Sequence, residues 1–127
     1  MKYNREMDRN CAESILLAAN EQYELGLNNE DIKLVSAFGG GMGCGSTCGA
    51  LAGAMAALGK IMVEDCAHAT VGFKDHCASL VKEFEETLGD IDCRNLIGKY
   101  RTVDTGCLTT IELAADVLEA HISKLGE

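Results

Sequence analysis

Apolar residues along this chain recur at helical rather than alternating spacing. Between about Asp8 and Leu25, Cys11, Ile15, Ala18 and Gln22 share one face, with Leu16 and Tyr23 beside it, which predicts a first helix. Asn28 and Asn29 suit an N-cap and introduce a short second helix over roughly Glu30 to Phe38, ending in a glycine cluster. A third is predicted from near Thr47 through Leu51, Met55 and Leu58 to Gly59, a C-cap candidate. A fourth covers about Thr70 to Leu88, with Phe73, Cys77, Leu80, Val81, Phe84 and Leu88 inward and Gly89 closing it. After a short turn at Cys93 to Ile97, the last helix runs from about Thr105 to Leu125, with Cys107, Ile111, Ala114, Leu118, Ile122 and Leu125 in register. Proline is absent and no strand pattern emerges. The expectation is an all-α bundle of four or five helices with a glycine-rich turn, forming one domain over residues 1–127.

Composition narrows the class. A chain of 127 residues, 47% apolar and 24% charged, has the balance of an ordinary globular domain with a real core. Eleven Lys and Arg against 20 Asp and Glu leave a formal charge of −9. That argues against nucleic acid and anionic membrane surfaces as partners, since both call for basic patches. No apolar run approaches the roughly 18 residues of a membrane span. The polar stretch Met1–Asn10 lacks the apolar core of a secretory signal, so a cytoplasmic location with mostly reduced thiols is expected. Seven cysteines, an odd number, then favour metal binding or redox use over a disulfide framework.

The thiols have a pattern. The segment Phe38-Gly-Gly-Gly-Met-Gly-Cys44-Gly-Ser-Thr-Cys48-Gly-Ala-Leu-Ala-Gly53 breaks the helical pattern with glycines and carries two thiols. Cys48 follows Ser46-Thr47, Cys93 follows Asp92, Cys107 follows Asp104-Thr105, and Cys11 follows Asn10 with Glu13 placed for a capping box. Four cysteines are thus expected in first turns of helices, where backbone amides favour anions and lower thiol pKa values. One inward cysteine is usually a small buried hydrophobe; four beside N-caps could converge as thiolate ligands. The glycine run fails the dinucleotide pattern, with Ser46 or Cys48 where its last glycine should stand. Its glycines are read as tight-turn and close-packing positions.

The order Cys11, Cys48-Gly-Ala-Leu-Ala-Gly53, Cys93-Arg-Asn-Leu-Ile-Gly98 and Cys107 resembles the C-GCAxxG-C-C family of redox-active proteins over nearly the whole chain. The resemblance implies a bacterial or archaeal protein holding an iron–sulfur cluster. It also implies a homodimer, because a similar cysteine-bearing region belongs to the dimeric split-Soret cytochromes. The ligands it implies are Cys11, Cys48, Cys93 and Cys107, with Gly41, Gly43 and Gly49 against the cofactor. The family box has glycine before its cysteine. Here Thr47 precedes Cys48, and Cys44 lies four residues upstream, so either thiol could be the ligand. Four thiolates suit [2Fe–2S] or [4Fe–4S]. No Cys-x-x-Cys-His is present for covalent haem.

Two alternatives stay open: a metal-free thiol/disulfide switch using Cys44, Cys48 and a remote cysteine, and a zinc protein without redox function. Cys66, His68, His76 and Cys77 form a second cluster with zinc-ligand chemistry, although Cys77 also fits the core stripe of its helix. His121 is expected on a charged, solvated face. No paired carboxylates and no serine–histidine–acid set stand out for catalysis, and nothing in the residues names the redox partner.

Overall fold

Two asparagines start the fold. The Asn10 side chain accepts from the Glu13 amide while the Glu13 carboxylate accepts from the Asn10 amide. Asn28 and Asp31 form the same reciprocal pair. Such boxes satisfy helix-end amides that have no intrahelical partner. In the computed structural model, which describes residues 7–125, they open α1 (Cys11–Tyr23) and the single turn α2 (Asn29–Ile32). A tighter 3-10 segment, Lys33–Phe38, continues α2 to the glycines. Then follow α3 (Gly49–Met62), α4 (Phe73–Leu88), α5 (Cys93–Tyr100) and α6 (Leu108–Leu125).

The fold is all-α, with six α-helices and no strand among the described residues. The count exceeds the expected four or five because the turn at Cys93 is a two-turn helix. Leu96 buries its inner face. At its end, the Lys99 ammonium and the Tyr100 hydroxyl both donate to the Leu88 carbonyl, each at 2.9 Å, fixing α5 to the end of α4. Part of the amino-terminal stretch read as lacking a signal lies outside the described residues.

Helices α1, α3, α4 and α6 enclose the core. Ile15, Leu51, Leu58, Leu80, Phe84, Leu88 and Ile111 are its largest fully buried apolar side chains, each stabilising by about 1.5–3 kcal/mol. The α1 face differs slightly from expectation. Ala12, Ile15, Leu16 and Ala19 are buried, while Gln22 is exposed. The reason lies on α3, whose Gly53 sits against α1. A Cβ there would collide with the Ile15 side chain and stand 2.6 Å from the Ala12 carbonyl oxygen. Backbone meets backbone at that crossing, and it fixes the rotation of α1.

Several helix ends also depart from the sequence expectation, α4 among them, which starts at Phe73 rather than Thr70. α3 starts at Gly49 with Cys48 itself as N-cap, and runs past Gly59 to Met62. α6 starts at Leu108 rather than Thr105. Gly89 does cap α4, in the left-handed conformation with φ 95°.

The glycine-rich turn is more unusual than a loop. Gly40, Gly41, Met42 and Gly43 have φ of 65°, 63°, 63° and 74°, four consecutive left-handed residues. The Ser46 amide closes the segment on the Gly41 carbonyl at 2.9 Å. Left-handed backbone costs about 1–2 kcal/mol per residue that carries a Cβ. Three of these four positions avoid that cost by being glycine.

Candidate functional site

Four cysteines stand at four helix starts. Cys11 is the first residue of α1, Cys48 is the N-cap of α3, Cys93 is the first residue of α5, and Cys107 immediately precedes α6. All four line one cavity of about 280 Å³, together with Asn10, Leu96, Arg101 and Thr110. Cys48 and Cys93 are buried, whereas Cys11 and Cys107 are half-buried.

Backbone pairing joins the middle two. The Cys48 amide donates to the Ile91 carbonyl at 2.7 Å, and the Cys93 amide donates to the Ser46 carbonyl at 2.6 Å. This short antiparallel bridge, centred on Thr47 and Asp92, registers the start of α3 against the start of α5. The approach to α5 is set by Asp90, whose carboxylate accepts from the Ile91 and Asp92 amides and the Asn95 side chain.

Glycines 41 and 49 make the convergence possible. A Cβ on Gly49 would stand 2.5 Å from the Cys11 sulfur and 2.7 Å from the Phe38 carbonyl oxygen. One on Gly41 would stand 2.6 Å from the Cys93 Cβ and 2.5 Å from the Ser46 carbonyl oxygen. Gly43 differs: nothing lies within 4 Å of its Cβ direction, and its left-handed φ is what requires glycine there. Gly40, which lines the cavity, was not singled out by the sequence.

Cys44 stands apart from these four. The left-handed turn carries it to the surface, where its thiol donates to the Gly41 carbonyl at 3.5 Å, and it is not among the residues lining the cavity. A helical segment would have placed Cys44 beside Cys48, four residues on; this backbone is not helical there.

The electrostatics differ from the lowered thiol pKa values expected at helix starts. Burial pushes the Cys48 thiol up to about 11, against the pull of the Ala50 and Leu51 amides and with further push from Cys11 and Cys93. Burial also raises Cys93 and Cys107, and the Cys11 thiol adds to both. Arg101 is the cation that opposes this at Cys93 and Cys107. No sequence signal marked Arg101. It reaches the cavity because the Thr102 and Gly106 backbones pair at 3.1 and 2.9 Å, closing the hairpin from Arg101 to Cys107.

The second cluster does not assemble. Cys66 and His68 are exposed, and Cys77 is half-buried against the core. His76 instead meets His121 at 3.0 Å. His121, expected to be solvated, is only 1% exposed. Its ring is buried because the Glu83 carboxylate and His76 satisfy both nitrogens. Among the described residues, no three His, Cys, Asp or Glu side chains are grouped to hold one metal ion, and no helix is long and apolar enough to cross a membrane.

Comparison with protein families matches residues 9–121 to C_GCAxxG_C_C, described as a putative redox-active protein. No curated protein and no solved structure matches the chain. The matched region contains all four cavity cysteines, and it spans the fold from the Asn10 cap to His121. The chain belongs to the C_GCAxxG_C_C family.

Proposed function

We propose that this protein holds an iron–sulfur cluster on Cys11, Cys48, Cys93 and Cys107 and uses it for electron transfer or redox sensing. The observation that carries the reading is the convergence of four thiols, from four separate helix starts, on one cavity of about 280 Å³. The donor set suits it. The cavity brings together sulfur donors and no carboxylate or histidine, which is the soft-ligand chemistry of Fe–S sites rather than of oxygen-preferring cations. The cavity, at about 280 Å³, has room for a group of several atoms.

Charge supports the same reading. Burial and mutual repulsion oppose deprotonation of Cys48, Cys93 and Cys107. A bound metal centre supplies the positive charge that reverses this balance, and its chemistry would be reversible one-electron exchange. The protein's own part is to hold the sulfurs in place through the Thr47–Asp92 bridge, to leave room through Gly41 and Gly49, and to present amides and Arg101 to the negative charge. The half-buried Cys11 and Cys107 lie toward the surface side, where a partner could exchange electrons. All four thiols come from one chain, so the site does not require the second copy that the resemblance implies.

The test is anaerobic reconstitution with ferrous iron and sulfide, followed by iron and sulfide analysis and visible and EPR spectroscopy. Stoichiometric iron and sulfide with a visible chromophore are expected. Colourless protein that retains neither overturns the reading. A defined disulfide after mild oxidation among Cys44, Cys48 and a remote cysteine, with no chromophore, would then favour the metal-free switch.

A further inference from the structure

Helices α4 and α6 share a polar chain, buried at His121 and part-exposed at Glu83 and His76, about 20 Å along α6 from the thiol cavity, at about 1.5 Å per residue over the 14 positions from Cys107 to His121. His121 Nδ1 lies 3.1 Å from both carboxylate oxygens of Glu83, and His121 Nε2 lies 3.0 Å from His76 Nδ1. The two rings meet edge to face, 85° apart. Ser79 donates to Glu83 at 2.6 Å, and the Lys124 ammonium lies 3.5 Å from it.

These contacts fix the protons. Burial works to raise the Glu83 carboxyl. Hydrogen bonds from Ser79 and His121 and the Lys124 charge oppose it, a protonated His121 adds to them, and the group is held below the ordinary carboxylate range. Glu83 is therefore an ionised acceptor at neutral pH, and His121 Nδ1 must carry a proton. In neutral His121, Nε2 is then an acceptor, so His76 Nδ1 donates to it. That leaves His76 Nε2 as a free lone pair. His76 is half-buried, and among the described residues its hydrogen bond is the one from Nδ1 to His121.

We propose that Glu83, His121 and His76 form a proton-binding relay that takes up a proton at the surface and stores its charge in the core. A proton from water bonds to His76 Nε2. The proton on His76 Nδ1 passes to His121 Nε2. One proton has entered, His76 is neutral again in its other tautomer, and His121 is an imidazolium between His76 and the Glu83 carboxylate. The buried ring thus changes charge without meeting water. The uptake strengthens the tie between α4 and α6, replacing a neutral hydrogen bond to Glu83 by a charged one. A second proton would leave two imidazoliums facing each other with no acceptor between them, and the tie would open.

The other charged groups on α4, Lys74, Asp75, Lys82, Glu85 and Glu86, are exposed. On α6, Glu112 and Asp116 are exposed, and Glu119 acts on Tyr23 of α1. The single charged residue of α3, Lys60, lies in the groove with Leu16, Asp31 and Val35. Lys99 of α5 is bound to the Leu88 carbonyl, and His68 in the preceding turn is exposed. Cys77 is raised by burial and stays a neutral thiol against the core.

The experiment is a pH titration of the 15N-labelled full chain under reductant, following both nitrogens of each histidine by long-range 1H–15N NMR. His121 Nδ1 should stay protonated throughout. His76 Nε2 and His121 Nε2 should gain protons at one shared midpoint. Glu83→Gln removes the counter-charge while keeping the shape, and should move that midpoint down. His76→Gln keeps a donor toward His121 but cannot pass a proton, so proton exchange at His121 should slow at least tenfold. Separate, independent midpoints for the two rings, an unprotonated His121 Nδ1, or an unchanged midpoint in Glu83→Gln would each overturn the proposal. Circular dichroism confirms that each variant is folded before it is scored.

Discussion

Glycine-to-alanine changes at Gly49 and Gly98 should shift stability in opposite directions, although both residues lie in helices. Gly49 is the first residue of α3, buried, and its missing Cβ points at the Cys11 sulfur 2.5 Å away and the Phe38 carbonyl oxygen 2.7 Å away. The sulfur can rotate, but only by leaving its place at the cavity. The carbonyl is backbone and moves only with the 3-10 segment that carries it. Overpacking of this kind costs about 1–3 kcal/mol, and at the first position of a helix the propensity gain of alanine offsets little of it. Gly98 is an exposed position inside α5 with nothing within 4 Å of the added methyl group and a φ that any residue adopts. There alanine gains roughly 0.5–1 kcal/mol by restricting the unfolded chain and improving helix propensity.

For a domain of this size, each kcal/mol moves Tm by about 3–5 °C. Gly49→Ala should therefore lower Tm by roughly 5–10 °C and Gly98→Ala should raise it by roughly 2–5 °C. Thermal and urea melts followed by far-ultraviolet circular dichroism measure both. Iron bound per chain after reconstitution provides a second readout, falling in Gly49→Ala and unchanged in Gly98→Ala. Shifts of the same sign in the two variants, or a Gly49→Ala protein as stable as the wild type, would refute the argument that Gly49 is clearance for Cys11.

Other outcomes follow from the same geometry. Serine at Cys11, Cys48, Cys93 or Cys107 should reduce bound iron at least several-fold, while Cys44→Ser and Cys66→Ser, which change exposed thiols outside the cavity, should retain it. Timed alkylation of the metal-free protein read by mass spectrometry should label Cys44 and Cys66 first and the buried Cys48 last. Cys48 is pushed up to about 11 by burial, whereas an unfolded thiol ionises near about 8.5. Metal-free protein should thus be most favoured below that pH and lose stability as pH rises from about 8.5 toward 11. Urea midpoints of Cys48→Ala should show a shallower fall across that window, and equal slopes would contradict the burial argument. For Glu83 the sign is opposite: a carboxyl held low in the folded state stabilises above its unfolded value and loses that contribution on acidification. The stability deficit of Glu83→Gln at neutral pH should accordingly fade below about pH 4.3.

Helix identity was legible where local rules act alone. Asn10 with Glu13 and Asn28 with Asn29 mark helix starts because capping is decided within four residues. The stripe from Phe73 to Leu88 gives α4 its buried Leu80, Phe84 and Leu88 for the same reason. Errors appear where a distant partner decides. The start of α5 is held by the Ser46 carbonyl, which accepts from the Cys93 amide 47 residues away. The rotation of α1 follows the glycine crossing with α3. His121 has the neighbours of a surface residue along α6, and only Glu83 and His76 on α4 make its burial affordable.

By itself, the sequence determined that the chain is helical, where most of its helices begin, and that four cysteines stand beside those beginnings, because capping and periodicity are properties of neighbouring residues. Only the tertiary structure decided that these four helix starts face one cavity. It alone placed Cys48 inside and Cys44 outside, since that choice turns on a left-handed backbone run and a bridge between Thr47 and Asp92, 45 residues apart. It also reversed the expected electrostatics of the thiols. A helix start lowers a thiol's pKa through local amides, but burial raises it through the exclusion of water, and burial is set by the packing of the whole chain.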